Sequence, residues 1–451
     1  MTTIRFGRIY FVVFCLIDFL FFILPSCTVQ KQIPKSANSL LQVPPLATAN
    51  VGISIYEPAA DKYWFNYQGD HYFVPASNTK IPTCYAALKY LGDSLVAIMA
   101  AENDTAIFFL PNGDPTFLHP DFKRQPAIDY LKRTRKKLYT SDIAWQENPL
   151  GSGWAWDDYN DDYMAERNPL PVYGNLIEWF KETGDDQQPI VYSIPEVNWS
   201  INFDTAMSGI FHVTRSINEN SFKITEGTEK IGEQSVPFVT NGIHAAADLL
   251  SDTIHKTVTV LSQAEFKQNL STLTLQPSSI HSQALDSMLR PMMHRSDNFF
   301  AEQSLLMVSN KLLGVMNDES IIDTLLKTAF SSLPQKPSWV DGSGLSRYNL
   351  FSPQDFVFIL NKMKNEFGME RIEHLLPTGD EGTLRNYYVK DSGYIYAKTG
   401  SLSGVLALSG FLYTRRHKLL IFSVIVNNHN ASSSAIRRAI ESFIEGIRNN
   451  Y

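Results

Sequence analysis

Three short runs of residues carry the chemistry open to this chain: Ser77-Asn78-Thr79-Lys80, Ser296-Asp297-Asn298 and Lys398-Thr399-Gly400. A serine hydroxyl is a poor nucleophile until a neighbour takes its proton. Residues three apart on a helix share a face, so Ser77 and Lys80 meet if this stretch is helical. A lysine is a base only when neutral, and its unperturbed pKa is about 10.4. Burial and a second cation both lower that value, and Lys398 is the candidate second cation. Ser296 suits a proton relay to a leaving amine, and Asn298 suits holding Lys80 and a substrate amide. Lys398 and Thr399 suit a terminal carboxylate, and Gly400 leaves room for substrate to approach a strand edge. The N–H groups of Ser77 and Ser401 would form an oxyanion hole for charge that develops in the transition state. Ser77 by itself reads as a helix N-cap. A lone SxxK arises by chance about once or twice in a chain this long. The ordered set of three points instead to acyl transfer to serine.

Such residues need two helix starts and a strand edge to hold them. Residues 77–91 carry a helical apolar pattern at Ile81, Tyr85, Leu88 and Leu91, with Pro82 in the first turns, where a missing N–H is tolerated. Residues 51–56 and 63–67 read as a hairpin about a turn at 58–61. Helical patterning returns at 283–293 and 299–313. Residues 394–401, 405–413 and 419–426 read as three strands, and 432–447 as an amphipathic closing helix. Between 104 and 276 the composition shifts to Trp, Tyr and acidic turn pairs, with strand-like runs at 189–194 and 257–261. The pattern predicts a mixed α/β (α+β) domain in two pieces, 49–103 and 277–451, split by a β-rich insertion at 104–276.

At 451 residues the chain is long enough for two or three domains. The formal net charge is −7, with no long basic run, which argues against nucleic acid and anionic membrane surfaces as partners. Arg5 and Arg8 precede an apolar run at 9–24 broken only by Asp18, the pattern of a secretory signal over 1–27. The run approaches the length of a membrane span, but Asp18 and the small Ser26 favour cleavage. Leu24-Pro25-Ser26-Cys27 resembles a lipobox, with Pro25 as a departure and Cys27 as the residue that would carry lipid. Residues 28–48, with Pro34, Pro44 and Pro45, read as a tether. These features predict export to the bacterial envelope (periplasm), with membrane contact only through a lipid anchor. Of the three cysteines, Cys15 and Cys27 fall in the leader, so the folded part keeps Cys84 alone and has no internal disulfide. The ten histidines form no HExxH spacing, so neither a catalytic metal nor another cofactor is expected. His294 is expected on a helix surface.

The likeness to a known family extends beyond these motifs. It runs through Pro75-Ala76-Ser77-Asn78-Thr79-Lys80, Gly113-Asp114-Pro115, Trp156-Asp157-Asp158 with Tyr163, and Ser296-Asp297-Asn298-Phe299-Phe300-Ala301-Glu302. It continues with Asp341-Gly342-Ser343-Gly344-Leu345-Ser346-Arg347, Gly382-Thr383-Leu384-Arg385 and Lys398-Thr399-Gly400-Ser401-Leu402. On these residues the sequence resembles the class C low-molecular-mass penicillin-binding proteins, the DD-carboxypeptidases and DD-endopeptidases of peptidoglycan. Asn112 departs from the family's glycine before Gly113, and residues 180–260 match it only loosely. The resemblance implies a penicillin-binding-protein/serine β-lactamase-like transpeptidase domain with an insertion between SxxK and SxN. The 219 residues from Ser77 to Ser296 (296 − 77) leave room for that insertion. It implies hydrolysis of D-Ala-D-Ala or D-centred cross-links in peptidoglycan stem peptides, through an acyl-enzyme on Ser77 that β-lactams also form. It further implies that Asp158, Tyr163 and Arg347 contact a diamino-acid side chain of the substrate. Without the resemblance, Asp157-Asp158 reads equally as a solvated turn, and the Asp341–Gly344 run reads as a tight turn. The competing functions are a serine β-lactamase or esterase, and a sensor that acylates with little turnover. No ExxLN-type carboxylate motif accompanies the set, which argues against an efficient class A lactamase.

Overall fold

The computed structural model describes residues 33, 36–184, 188–204, 209–271 and 277–451. The signal segment, Cys15 and Cys27 lie outside the described residues.

The two ends of the described chain meet in one sheet. Its order is Ile395–Leu402, Val405–Tyr413, Leu419–Asn427, Asn50–Glu57, Lys62–Tyr67, all antiparallel. The central strands are apolar at nearly every position because both faces are covered. Along Leu419–Asn427, Ile421 and Ile425 enter one core, while Phe422, Val424 and Val426 enter another. That alternation is the two-residue period of a strand. The first face packs against the helices Lys80–Tyr90 and Pro353–Phe367, the second against Ser433–Asn450. The result is a three-layer α/β/α unit.

The helix that begins at Lys80 is buried from Lys80 to Leu88, packed against Asn298–Leu313 on one side and Pro353–Phe367 on another. Its burial has a direct consequence for the lysine at its start. Pro82 falls in the first turn, as expected. Ser77 is not the helix N-cap. It sits in a 3₁₀ turn, Ala76–Thr79, and no side-chain cap bond forms there.

A second five-stranded sheet runs Val258–Val260, Lys137–Thr140, Ala106–Pro111, Ser94–Glu102, Ser278–Ala284. Ser94–Glu102 pairs on one side with Ala106–Pro111 and on the other with Ser278–Ala284. The expected boundary at 103/104 therefore separates two strands that are hydrogen-bonded to each other, Ser94–Glu102 and Ala106–Pro111. Composition changes at that point, but pairing continues across it. Two three-stranded sheets follow: Ser200–Asp204, Ser221–Thr225, His212–Arg215, and Gly232–Pro237, Leu176–Thr183, Pro189–Ile194. The helices Pro126–Arg133, His244–Ile254 and Gln263–Ser271 accompany these strands, so the region is β-rich without being all-β. Its core centres on Trp179, Phe222 and Phe238.

The described part of the expected tether is not a solvated linker. Residues 36–41 are helical, and Ile33, Ala37, Leu40 and Leu46 pack into the core shared with Ile436 and Ile440. The prolines that suggested a linker flank a helix whose apolar residues recur at helical spacing. Among the described residues no helix is long and apolar enough to cross a membrane, and Cys84 is a buried free thiol.

Candidate active site

Each motif is delivered by a different element. The 3₁₀ turn and the following helix place Ser77 and Lys80 so that Lys80 Nζ donates to Ser77 Oγ at 3.1 Å. The same amine donates to Asn298 Oδ1 at 2.7 Å and to the Ser343 carbonyl at 2.8 Å. Asn298 opens the helix Asn298–Leu313, whose N-cap Asp297 accepts from Phe300 N at 2.9 Å. That cap fixes the helix start, and Asn298 Nδ2 reaches Tyr163 O at 3.2 Å. Ser296, two residues before the helix, has φ +67°, unusual for a residue with a side chain. This conformation turns its hydroxyl to Lys398, whose Nζ donates to Ser296 Oγ at 2.9 Å and to Thr399 O at 2.8 Å.

Lys398 lies on Ile395–Leu402, the edge strand of the first sheet. Ala397 N donates outward to Pro377 O. By the two-residue period, Thr399 and Ser401 also turn their N–H groups to this free edge. The edge runs beside Ser77: a Cβ on Gly400 would stand 2.6 Å from Pro75 O and 3.1 Å from Ser77 N. Ser77 and Ser401 line one cavity.

Both lysines are fully buried. Burial lowers the pKa of Lys80 to about 8, against the opposing pull of Asp341, Glu302 and Asp297. Burial, and then the charge of Lys80, push Lys398 well below its ordinary value. Desolvation disfavours the ammonium form of each, and two amines in one dry site disfavour each other's charge. The site therefore offers what a lysine base needs, an amine that is neutral at an accessible pH and bonded to a serine hydroxyl.

A cavity of about 500 Å³ opens from Ser77, walled by Asp158, Tyr163, Asn298, Arg347 and Ser401. Arg347 Nη2 donates to Ser403 O at 3.0 Å, and the Tyr163 hydroxyl donates to Asp161 Oδ2 at 3.0 Å. Asp158 ends the short 3₁₀ turn Trp156–Asp158 and is half-buried. A second cavity of about 330 Å³ lies beyond Tyr163, lined by Asp121, Asp162, Glu178, Arg295 and Ser296 among others.

Not every expected residue faces the first cavity. The space beside Gly400 is filled by the protein's own Pro75–Ser77 backbone, so this glycine admits that turn and not substrate. Thr399 and Gly400 line a separate gap of about 30 Å³ with Leu384, Tyr387 and Arg437. Ser401 Oγ accepts from Arg437 at 2.8 Å. His294 is half-buried, not on an open surface, and burial followed by the charge of Arg290 holds its pKa near 4. Sequence reasoning missed Arg167, buried against Asp318 (2.5 Å), Glu147 (3.2 Å) and Glu302 (3.6 Å). It also missed Trp154, whose Nε1 donates to Asp341 Oδ2 at 3.0 Å. Neither residue stands in a motif or at a spacing that would have pointed to it. Among the described residues no group of His, Cys, Asp and Glu is arranged to hold a metal ion.

Two serines, two buried lysines and an amide gathered at one strand edge define a serine acyl-transfer site on a mixed α/β scaffold. The model of the D-Ala-D-Ala carboxypeptidase 3 (S13) family matches residues 33–447, and the chain belongs to that family. It is thus a low-molecular-mass class C penicillin-binding protein and a serine-type peptidase. It is 24% identical to the D-alanyl-D-alanine carboxypeptidase of an Actinomadura species, over 91% of this chain and 84% of that one. It is 23% identical to the D-alanyl-D-alanine carboxypeptidase DacB of Haemophilus influenzae, over 89% and 90%. The crystal structure of penicillin binding protein 4 from Haemophilus influenzae superposes with TM-score 0.70 at 19% identity, covering 91% of this chain and 99% of that chain. A predatory peptidoglycan endopeptidase from Bdellovibrio bacteriovorus aligns with TM-score 0.51 at 12% identity, over 89% and 94%. These structural likenesses carry the fold.

Proposed function

We propose that this chain hydrolyses D-Ala-D-Ala bonds, or D-centred cross-links, of peptidoglycan through an acyl-enzyme on Ser77. The observation that carries the reading is the Lys80 amine, fully buried and shared by Ser77 Oγ, Asn298 Oδ1 and Ser343 O. Neutral Lys80 takes the hydroxyl proton as Ser77 Oγ attacks the scissile carbonyl carbon. The oxyanion forms between the N–H groups of Ser77 and Ser401. The C–N bond then breaks, and a proton reaches the leaving amine through Ser296, whose hydroxyl is held by Lys398. Water later attacks the ester, releases the acid and returns the proton to Ser77. Lys398 also holds the terminal carboxylate of the substrate. That anion raises the proton affinity of Lys398, and a cation there lowers that of Lys80. Substrate binding thereby favours the neutral base. β-Lactams enter the same sequence and stop at the ester.

Asp158, Tyr163 and Arg347 share the wall of the cavity that opens from Ser77. A carboxylate suits a side-chain ammonium and a guanidinium suits a side-chain carboxylate, so the pair fits a meso-diaminopimelate-like residue upstream of the scissile bond. Losing one such contact costs about 1.5–3 kcal/mol. Asp158→Ala and Arg347→Ala should each slow turnover of a diamino-acid pentapeptide by about tenfold or more, with little change in acylation by a penicillin lacking that side chain. Equal loss toward both compounds would remove the selectivity role. Incubation with isolated peptidoglycan peptides, read by product mass, tests the reaction itself. Release of free D-alanine identifies the carboxypeptidase reaction, and splitting of dimers identifies the endopeptidase reaction. Neither product would sink the proposal.

The peptidoglycan substrate places the enzyme in the cell envelope. We take residues 1–27 as an export signal and Cys27 as its lipid tether, from the basic-apolar start and the lipobox-like end. A mature chain whose mass lacks lipid at Cys27 would contradict the tether. Ser94–Glu102 pairs with Ala106–Pro111 on one side and Ser278–Ala284 on the other, which supports a division near 93 and 285 in place of 103 and 277.

A further inference from the structure

Two acids at the ends of motif runs have no part in the steps above. Glu302 closes the run that begins at Ser296, and Asp341 opens the run that ends at Arg347. Both are fully buried. We propose that Glu302 is a positioning residue for the base: with Asp341 it forms a buried anionic cradle, clamped from the inserted segment by Arg167 and Trp154, that fixes the Ser343 carbonyl against the Lys80 amine and sets when that amine can accept a proton. The proposal rests on the reading of Lys80 as the base.

The geometry runs through one residue. Ser343 N donates to Glu302 Oε1 at 2.7 Å, and Ser343 O accepts from Lys80 Nζ at 2.8 Å. The carboxylate and the amine therefore hold opposite ends of Ser343. Asp341 fixes the rest of the loop, accepting from Gly344 N (2.8 Å), Ser346 N (2.6 Å), Asn349 Nδ2 (2.8 Å) and Trp154 Nε1 (3.0 Å). Two glycines let the loop seat this closely. A Cβ on Gly342 would stand 2.7 Å from Ala301 O, and one on Gly344, where φ is +84°, would overlap Ala76 O. The loop thus touches both the turn that carries Ser77 and the helix that carries Glu302.

Charge separates this role from simple anchoring. A loop anchor needs only an acceptor for Ser343 N, which an amide supplies. A buried carboxylate is costly to desolvate, and here two stand together. The charged groups facing Lys80 are Lys398 from the strand edge, Asp341 from the loop, and Glu302 and Asp297 from the helix and its cap. Those facing Glu302 are Arg167, Asp341 and Asp318, with Glu147 on the far side of Arg167. The acids favour the ammonium form of Lys80, opposing burial. Arg167 ties the strength of that pull to the inserted segment.

The test is Glu302→Gln in the full exported chain, with the acylation rate by a penicillin measured against pH. Glutamine keeps the acceptor and removes the charge, so Lys80 loses its proton at lower pH. The acidic limb of the profile should move down by about one unit, with the melting temperature and initial binding near wild type. A folded variant whose limb stays in place would overturn the proposal. Should the variant not fold, linkage supplies a second measurement, because coupling between two sites is reciprocal. Burial and then Asp341 push the Glu302 carboxyl up to about 7, and in protein labelled with ¹³C at glutamate carboxyl groups it should titrate higher in Lys80→Met than in wild type. An unchanged titration would equally overturn the cradle. Failure of the base reading looks different: Lys80→Met would then acylate at the wild-type rate, whatever Glu302 does.

Discussion

Replacing Lys80 with methionine should slow acylation by penicillin by about 10²–10⁴-fold, the usual contribution of a positioned general base. Initial non-covalent binding should change little. The expectation follows from three bonds that converge on one buried amine, from Ser77 Oγ, Asn298 Oδ1 and Ser343 O. Methionine fills the volume of the lysine stem but can take no proton, so Ser77 keeps its hydroxyl hydrogen through the attack. The pH dependence gives a second check. A base must be neutral, and Lys80 titrates at about 8. Wild-type acylation should therefore rise with pH through that region, and the rise should vanish in Lys80→Met. Stopped-flow quenching of a fluorescent penicillin measures both quantities. Acylation of Lys80→Met at the wild-type rate would exclude Lys80 as the base.

Lys398→Met should cost about 10²-fold in turnover of carboxylate-ended peptides, close to the loss of one or two charge-assisted hydrogen bonds. The defect should have two parts. One is in KM, because the cation that would hold the terminal carboxylate is gone. The other is in kcat, because Ser296 loses the amine that donates to its hydroxyl at 2.9 Å. A variant with normal KM and normal kcat would contradict both roles given to Lys398.

The mixed α/β scaffold was legible in the sequence because its strongest elements are continuous and apolar. The three C-terminal strands and the helix from Asn298 to Leu313 were each placed within about a residue of where they form. The meeting of Ser77 with Lys80 was legible from helical spacing, although the serine occupies a 3₁₀ turn. Long-range contacts were less accessible. Gly400 was read as room for substrate because nothing in the local sequence shows that Pro75–Ser77 fills that space. Residues 36–41 were read as linker because prolines and polar residues mask an apolar face whose partner is some 400 residues away. Composition marked where the insertion changes character, but Ser94–Glu102 is held by a strand almost 180 residues later. Arg167 belongs to no motif, and only the fold brings it to Glu302.

The most direct measurement is the intact mass of the purified chain before and after treatment with benzylpenicillin, followed by peptide mapping. Covalent catalysis at Ser77 predicts one adduct per chain, on the peptide that contains Ser77, and none in Ser77→Ala. An adduct on a different serine, or labelling that persists undiminished in Ser77→Ala, would contradict the account.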